Sequence, residues 1–247
     1  MIDLRNVSAR TESGLEILAP FNLQLEKGKI LGIYGPNGSG KSTLLRAIAG
    51  VSKNKVVAGE IRIGNIQINS KILPKEKIKW VLYLGSDFYS HFKLNVSELL
   101  ELGAGVMSRA LCSANEAIDE VVEQLKIAQF LSRDFRSLSD GEKQLTMFAR
   151  VLIQKPELMI FDESFSKLDL DKIILVSKAL KDYASRGSAF MVASHDLNFL
   201  SECSDELLIL KAGKSIAHGK ASEILTPFVL KAVYPELDLQ EIGRAHV

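Results

Sequence analysis

The chain has 247 residues, 47% of them hydrophobic and 25% charged, with 31 basic against 30 acidic side chains. A chain this long buries most of its unfolded surface and needs no disulfide or structural metal as a staple. The balanced charge argues against nucleic acid or an anionic membrane as the main partner, the lone Cys112 and Cys203 against a cysteine-built zinc site, and the lack of any run of 18 apolar residues against a spanning helix.

The N-terminus, Met1 to Arg10, carries charges within its first five residues and has no signal-peptide apolar core, so reduced thiols in a cytosolic setting are expected. Ile2–Val7 and Leu23–Leu25 alternate apolar and polar residues, as half-buried strands do. Ile30–Tyr34 is a short apolar run that ends at a glycine-rich loop. A helix is expected from Ser42 to Ile48, stopped by Gly50. Ile61, Ile63, Ile66 and Ile68 flank Gly64-Asn65 and predict a hairpin. Trp80–Leu84, Leu158–Phe161 and Ala189–Ala193 read as buried strands, and Ile173–Tyr183 as a helix. Between residues 87 and 152 no buried strand is evident; Val96–Leu102, Asn115–Leu125 and Glu142–Ile153 read as helices of an insertion. Leu207–Leu210 and Ser215–Ala217, joined through Ala212-Gly213-Lys214, predict a late hairpin. Strands alternating with helices give an α/β fold with a mainly parallel sheet, an N-terminal antiparallel β element and an inserted helical subdomain, all within one domain over residues 1–240. Residues 241–247 can be encoded by the start of a widely used sequencing-library adapter and are expected to be foreign to the natural chain.

Gly35-x-x-x-x-Gly40-Lys41-Ser42 matches the phosphate-binding loop in full. Glycines let successive backbone N–H groups turn inward toward phosphate oxygens, and the following helix adds its positive end. Lys41 is placed to bridge the β- and γ-phosphates of a nucleoside triphosphate, and the Ser42 hydroxyl to ligate Mg²⁺. Ligands sit at the carboxyl ends of strands in such sheets, so Asp162 falls near the metal and Glu163 beside the γ-phosphate, as general base or as the group that positions water. His195, closing another apolar run, could hydrogen-bond the same phosphate and water. Taken alone, a glycine-rich turn, two acids after a strand and a single histidine each have a plain structural reading. Ser139-x-x-Glu142 is a capping box, and a capped, exposed helix end is also an anion site.

With these motifs in this order, the chain resembles ATP-binding cassette (ABC) ATPases, the nucleotide-binding subunits of transporters, from Met1 to about Gln240. Gly35–Thr43 resembles the Walker A loop and Leu138–Glu142 the signature. Leu158–Glu163 is similar to Walker B with its glutamate, Ser166-Lys167-Leu168-Asp169 to the D-loop, and His195 to the switch histidine. The resemblance implies a RecA-like P-loop NTPase core and two copies that clamp two ATP molecules head to tail. It further implies Gly35, Asn37, Gly38, Ser39, Gly40, Lys41, Ser42 and Thr43 on the phosphates, with Ser139, Gly141 and Asp169 meeting the nucleotide held by the partner copy. Lys41, Glu163 and His195 are the implied catalytic groups, and Ser42, Asp162 and Ser86 the implied metal site.

The chain departs from the family pattern in several places. Asp140 and Glu142 stand where the signature usually has glycine and glutamine. Ser164-Phe165 follows Walker B in place of Pro-Thr, and Lys167 replaces an alanine. Ser86 stands where a Q-loop glutamine is expected, and the adenine-stacking aromatic expected near Thr11 is missing.

Gly219–Leu225 followed by Leu230–Tyr234 resembles the ending of cassettes that serve iron–siderophore, haem and cobalamin import. This implies an integral membrane permease, an extracytoplasmic substrate-binding protein and a peripheral place on the cytoplasmic face of the membrane. The alternatives are a soluble cassette of DNA repair or translation, a non-hydrolysing subunit, and another importer or exporter. The chain lacks the long coiled-coil insertion of the first and the second cassette of translation factors. Phe88, Tyr89 and Phe92 read equally as a permease contact or as core.

Overall fold

A computed structural model describes residues 1–52, 55–68, 74–86, 93–105 and 111–234. Phe88, Tyr89 and Phe92, the side chain of Cys112 and the 241–247 tail lie outside the described residues.

The elements run β1 (Ile2–Thr11), β2 (Glu16–Leu25), β3 (Ile30–Tyr34), α1 (Lys41–Ile48), β4 (Lys55–Ile63), β5 (Ile66–Gln67), α2 (Pro74–Lys77) and β6 (Val81–Leu84). Then come α3 (Val96–Gly105), α4 (Leu111–Leu125), α5 (Asp140–Gln154), β7 (Leu158–Asp162), α6 (Leu170–Ser185), β8 (Ala189–Ala193) and α7 (Leu197–Cys203). The described chain finishes with β9 (Glu206–Lys211), β10 (Lys214–Gly219), α8 (Ala221–Ile224) and α9 (Pro227–Val233).

Two sheets result. One is antiparallel, in the order β2-β1-β4-β5, with the expected hairpin pairing Ile63 against Ile66. The simple alternation read over Ile2–Val7 breaks inside β1. Ile2 and Leu4 are buried, then Val7 and Ala9. A register shift lies between Arg5 and Ser8, and Asn6 sits there at φ 52°. This bulge adds a residue and returns both apolar pairs to one face. β2 is longer than the Leu23–Leu25 expected and includes Pro20, which an edge strand tolerates because its missing N–H is not needed for pairing.

The second sheet has the order β10-β9-β3-β8-β7-β6. Neighbours from β9 to β6 are parallel, and β10 closes the edge antiparallel to β9 as the predicted late hairpin. Every residue of β7 and β8 is buried. Leu158 and Ile160 face the antiparallel sheet and α1, while Met159 and Phe161 face α5 and α6. Burial on both faces is why these strands read as unbroken apolar runs. Helices α3, α4 and α5 pack on one another, and α5 also lies against β6. Cys203 is a buried free thiol, its pKa pushed up to about 11 by desolvation. Among the described residues no helix is long and apolar enough to cross a membrane.

The strand order brings β3, β8 and β7 side by side in parallel, so the loops that follow them open at one edge. This is where an α/β sheet binds ligands.

Candidate active site

Gly40 caps α1 at φ 103°, a left-handed backbone that favours glycine, and the helix starts at once with Lys41. The loop and the helix start form a cleft of about 240 Å³ lined by Asn37, Gly38, Ser39, Gly40, Lys41, Ser42 and Thr43, with Ile17 and Glu163 at its sides. Ser39 Oγ is buried and has no hydrogen-bond partner among the described residues. An orphaned hydroxyl in a loop of this kind fits an oxygen-rich anion.

Lys41 is almost fully buried. Its ammonium donates to the carbonyls of Gly35 (2.6 Å) and Pro36 (3.3 Å) and lies 3.9 Å from Glu163 Oε1. Burial lowers its pKa; Glu163 and Asp162 oppose that shift. Glu163 has a positive φ of 53°, and its N–H donates to the Ala193 carbonyl at 3.0 Å. This kink ends β7 and sets the carboxylate at the side of the cleft. His195 Nδ1 donates to Glu163 Oε2 at 2.9 Å. Lys41, Glu163 and His195 are therefore brought together.

Asp162 is buried at the end of β7. Ser42 Oγ donates to its Oδ1 at 2.9 Å, and the Tyr83 hydroxyl donates to its Oδ2 at 2.6 Å. Arg46 Nε in turn donates to the Tyr83 oxygen at 3.0 Å. Burial, with the bond to Asp162, pushes the Tyr83 pKa up to about 12. The sequence reading missed Tyr83 and Arg46. The available signal was a hydroxyl-tipped ring inside the short apolar strand β6. Ser86 is an exposed bend residue beyond that strand and is not among the groups that hold Asp162.

The Ser42 hydroxyl and the Asp162 carboxylate are hard oxygen donors. No cluster of three or more His, Cys, Asp or Glu side chains suited to a metal occurs among the described residues. A two-oxygen site completed by phosphate oxygens and water fits Mg²⁺ better than a cation that needs an all-protein cage.

Ser139, Gly141 and Asp169 do not line this cleft. Ser139 caps α5: its Oγ accepts from the Glu142 N–H (3.2 Å), and Glu142 Oε2 accepts from the Ser139 N–H (2.7 Å). The Glu142 carboxylate also meets Arg133 at 3.2 Å, so this departure from the family pattern is turned back onto its own chain. Asp140 pairs with Lys167 at 2.7 Å, which holds the Asp140 pKa below its usual value. The two unusual charges thus offset each other. Asp169 caps α6 through the Lys172 N–H and pairs with Lys172 Nζ at 2.6 Å. Ser164 is fully buried and its Oγ donates to the Leu84 carbonyl at 2.7 Å, tying the end of β7 to β6. Phe165 packs edge-on against Phe148. The Ser164-Phe165 departure is thus a packing matter.

Comparison with known proteins follows the same lines. Residues 18–166 match the family model described as ABC transporter. The chain is 32% identical over 246 residues to the hemin import ATP-binding protein HmuV of Bradyrhizobium diazoefficiens, covering 96% of this chain and 89% of that protein. It is 31% identical over 242 residues to the vitamin B12 import ATP-binding protein BtuD of Vibrio atlanticus, covering 95% and 93%. CbiO1 of Clostridium perfringens, part of the ABC transporter complex CbiONQ, superposes with a TM-score of 0.79 at 23% identity, over 99% of this chain and 97% of that one.

Proposed function

The chain belongs to the ABC transporter family as an ATP-binding subunit, and from that membership we propose that it hydrolyses ATP to drive import of an iron complex, haem or cobalamin through a separate permease. The observation that carries the ATPase reading is the meeting of Lys41, Ser42, Asp162, Glu163 and His195 at one sheet edge. The cargo class is supported by the hemin and vitamin B12 importers at about one-third identity over nearly the whole chain. Residues 1–240 act as one cassette in this reading, with the helices of residues 87–152 as its insert.

Lys41, buried and fixed by two carbonyls, holds its charge where the triphosphate tail enters. Ser42 and Asp162 hold Mg²⁺, which when bound offsets charge on the phosphate oxygens. Glu163 orients water for in-line attack on the γ-phosphorus and takes its proton. His195 keeps the Glu163 carboxylate aimed by the 2.9 Å bond. The P–O bond to the β-phosphate breaks, leaving ADP and phosphate. Because Ser139 and Gly141 lie outside the cleft, a second copy supplies them to complete the site. The permease joins the pair from the membrane, with a substrate-binding protein on its far side, so the subunit is peripheral on the cytoplasmic face.

Deletion of the gene in its host tests the cargo. Uptake of one among haem, cobalamin and a ferric siderophore should be lost and return with the wild-type gene. Unchanged uptake of all three removes the cargo assignment and leaves the ATPase reading standing.

A further inference from the structure

Asp162 ends a fully buried strand with both carboxylate oxygens engaged, and the donors come from different elements. Ser42 of α1 reaches Oδ1 at 2.9 Å, and Tyr83 of β6 reaches Oδ2 at 2.6 Å. Arg46, one turn along α1 from Ser42, closes the circuit by donating to the Tyr83 oxygen at 3.0 Å. The chemistry of the groups fixes the direction of each bond. A guanidinium only donates, and an ionised carboxylate only accepts. With Arg46 on its lone pair, the phenol's own hydrogen is left for Asp162. Ser42 likewise spends its hydrogen on Asp162, which leaves its oxygen lone pairs for a cation.

We infer that Tyr83 is a positioning residue for the metal site: it holds the Asp162 carboxylate in the orientation that Mg²⁺ on the triphosphate requires. The inference rests on the nucleotide-hydrolysis reading above. Exposed Ser86 does not perform this task, whereas Tyr83 sits on the strand paired with β7, with Tyr83 opposite Ile160 in the register. A ring anchored in a sheet loses little freedom when its hydroxyl is used, so one hydrogen bond has a large orienting effect.

The test is equilibrium binding of ATP to the full chain, titrated with MgCl₂ and repeated in EDTA, for wild type and Tyr83→Phe. The variant keeps the ring and loses only the hydroxyl. The magnesium concentration for half-maximal enhancement of ATP binding should rise about tenfold, as expected for loss of a hydrogen bond to a charged group. Affinity in EDTA should stay within about twofold of wild type, since the loop and Lys41 are untouched. A merely structural tyrosine would lower affinity equally in both conditions, and that result overturns the inference. So does an unchanged magnesium requirement. Arg46→Gln, which frees the phenol hydrogen to turn away, should move the requirement the same way by a smaller factor; no shift there also counts against the circuit. If wild type itself shows no magnesium response, the hydrolysis reading fails before Tyr83 is in question.

Discussion

Glu163 stands at φ 53°, where an L side chain carries a strain cost of order 1 kcal/mol, and its N–H bond to Ala193 holds it there. The strain places a carboxylate between the buried Lys41 and His195. Among the described residues, the one large apolar side chain that lines the cleft is Ile17, an aliphatic group rather than a ring. Stacking of a base on an aromatic is worth about 1–3 kcal/mol where measured. Without it, Kd values for GTP and ATP should agree within about tenfold, because 1.4 kcal/mol is a factor of ten. Equilibrium binding of both nucleotides checks this, and GTP binding far weaker than ATP would contradict it. The residues that meet at the cleft were legible because the chemistry of phosphate binding fixes residue types at fixed spacing. For Tyr83 the only signal was its hydroxyl within Val81-Leu82-Tyr83-Leu84, which does not say that the hydroxyl meets an acid on the next strand.

In the proposed pairing of two copies, the start of α5 is the element that meets the partner's nucleotide. Its capping box holds Ser139 at the exposed tip, and the Asp140–Lys167 pair joins that tip to the segment after β7. Exposed ion pairs add little stability, so this one matters for position and for neutralising the Asp140 charge. The Lys167 backbone is fixed independently: its N–H donates to Gln144 Oε1 at 3.0 Å. Its carbonyl comes so near α5 that a Cβ on Gly141 would lie 2.7 Å from it. Gly141→Ala should therefore displace the Lys167 segment and lower ATP turnover by about a hundredfold, the scale of a 1 Å misplacement. Nucleotide affinity of the isolated chain should hold, since the P-loop is untouched; a turnover assay beside a binding assay separates the two. The helices of residues 87–152 were legible from their 3.6-residue period. α4 starts a turn before the predicted Asn115, at Leu111, and α5 two residues before the predicted Glu142, at Asp140, where the Ser139 cap sets its first residue.

At the scale of the molecule, the proposed pairing has one chain present half of each of two sites. The cleft with Lys41 and Glu163 belongs to the sheet edge, and Ser139 with Gly141 to the start of α5. The layered core was readable from the buried runs of β3, β7 and β8. The bulge in β1 and the length of β2 were not, since register shifts depend on cross-strand partners that a single strand's pattern does not contain. The claim on which the account rests is that ATP draws two copies together. Glu163→Gln removes the proposed base while keeping the side chain's shape, so the ATP-bound pair should persist. Light scattering of this variant with magnesium and ATP should give twice the chain mass of 27.2 kDa, return to the single-chain mass with ADP, and accompany no phosphate release. A single-chain mass at saturating magnesium ATP, or phosphate release at the wild-type rate, would contradict it.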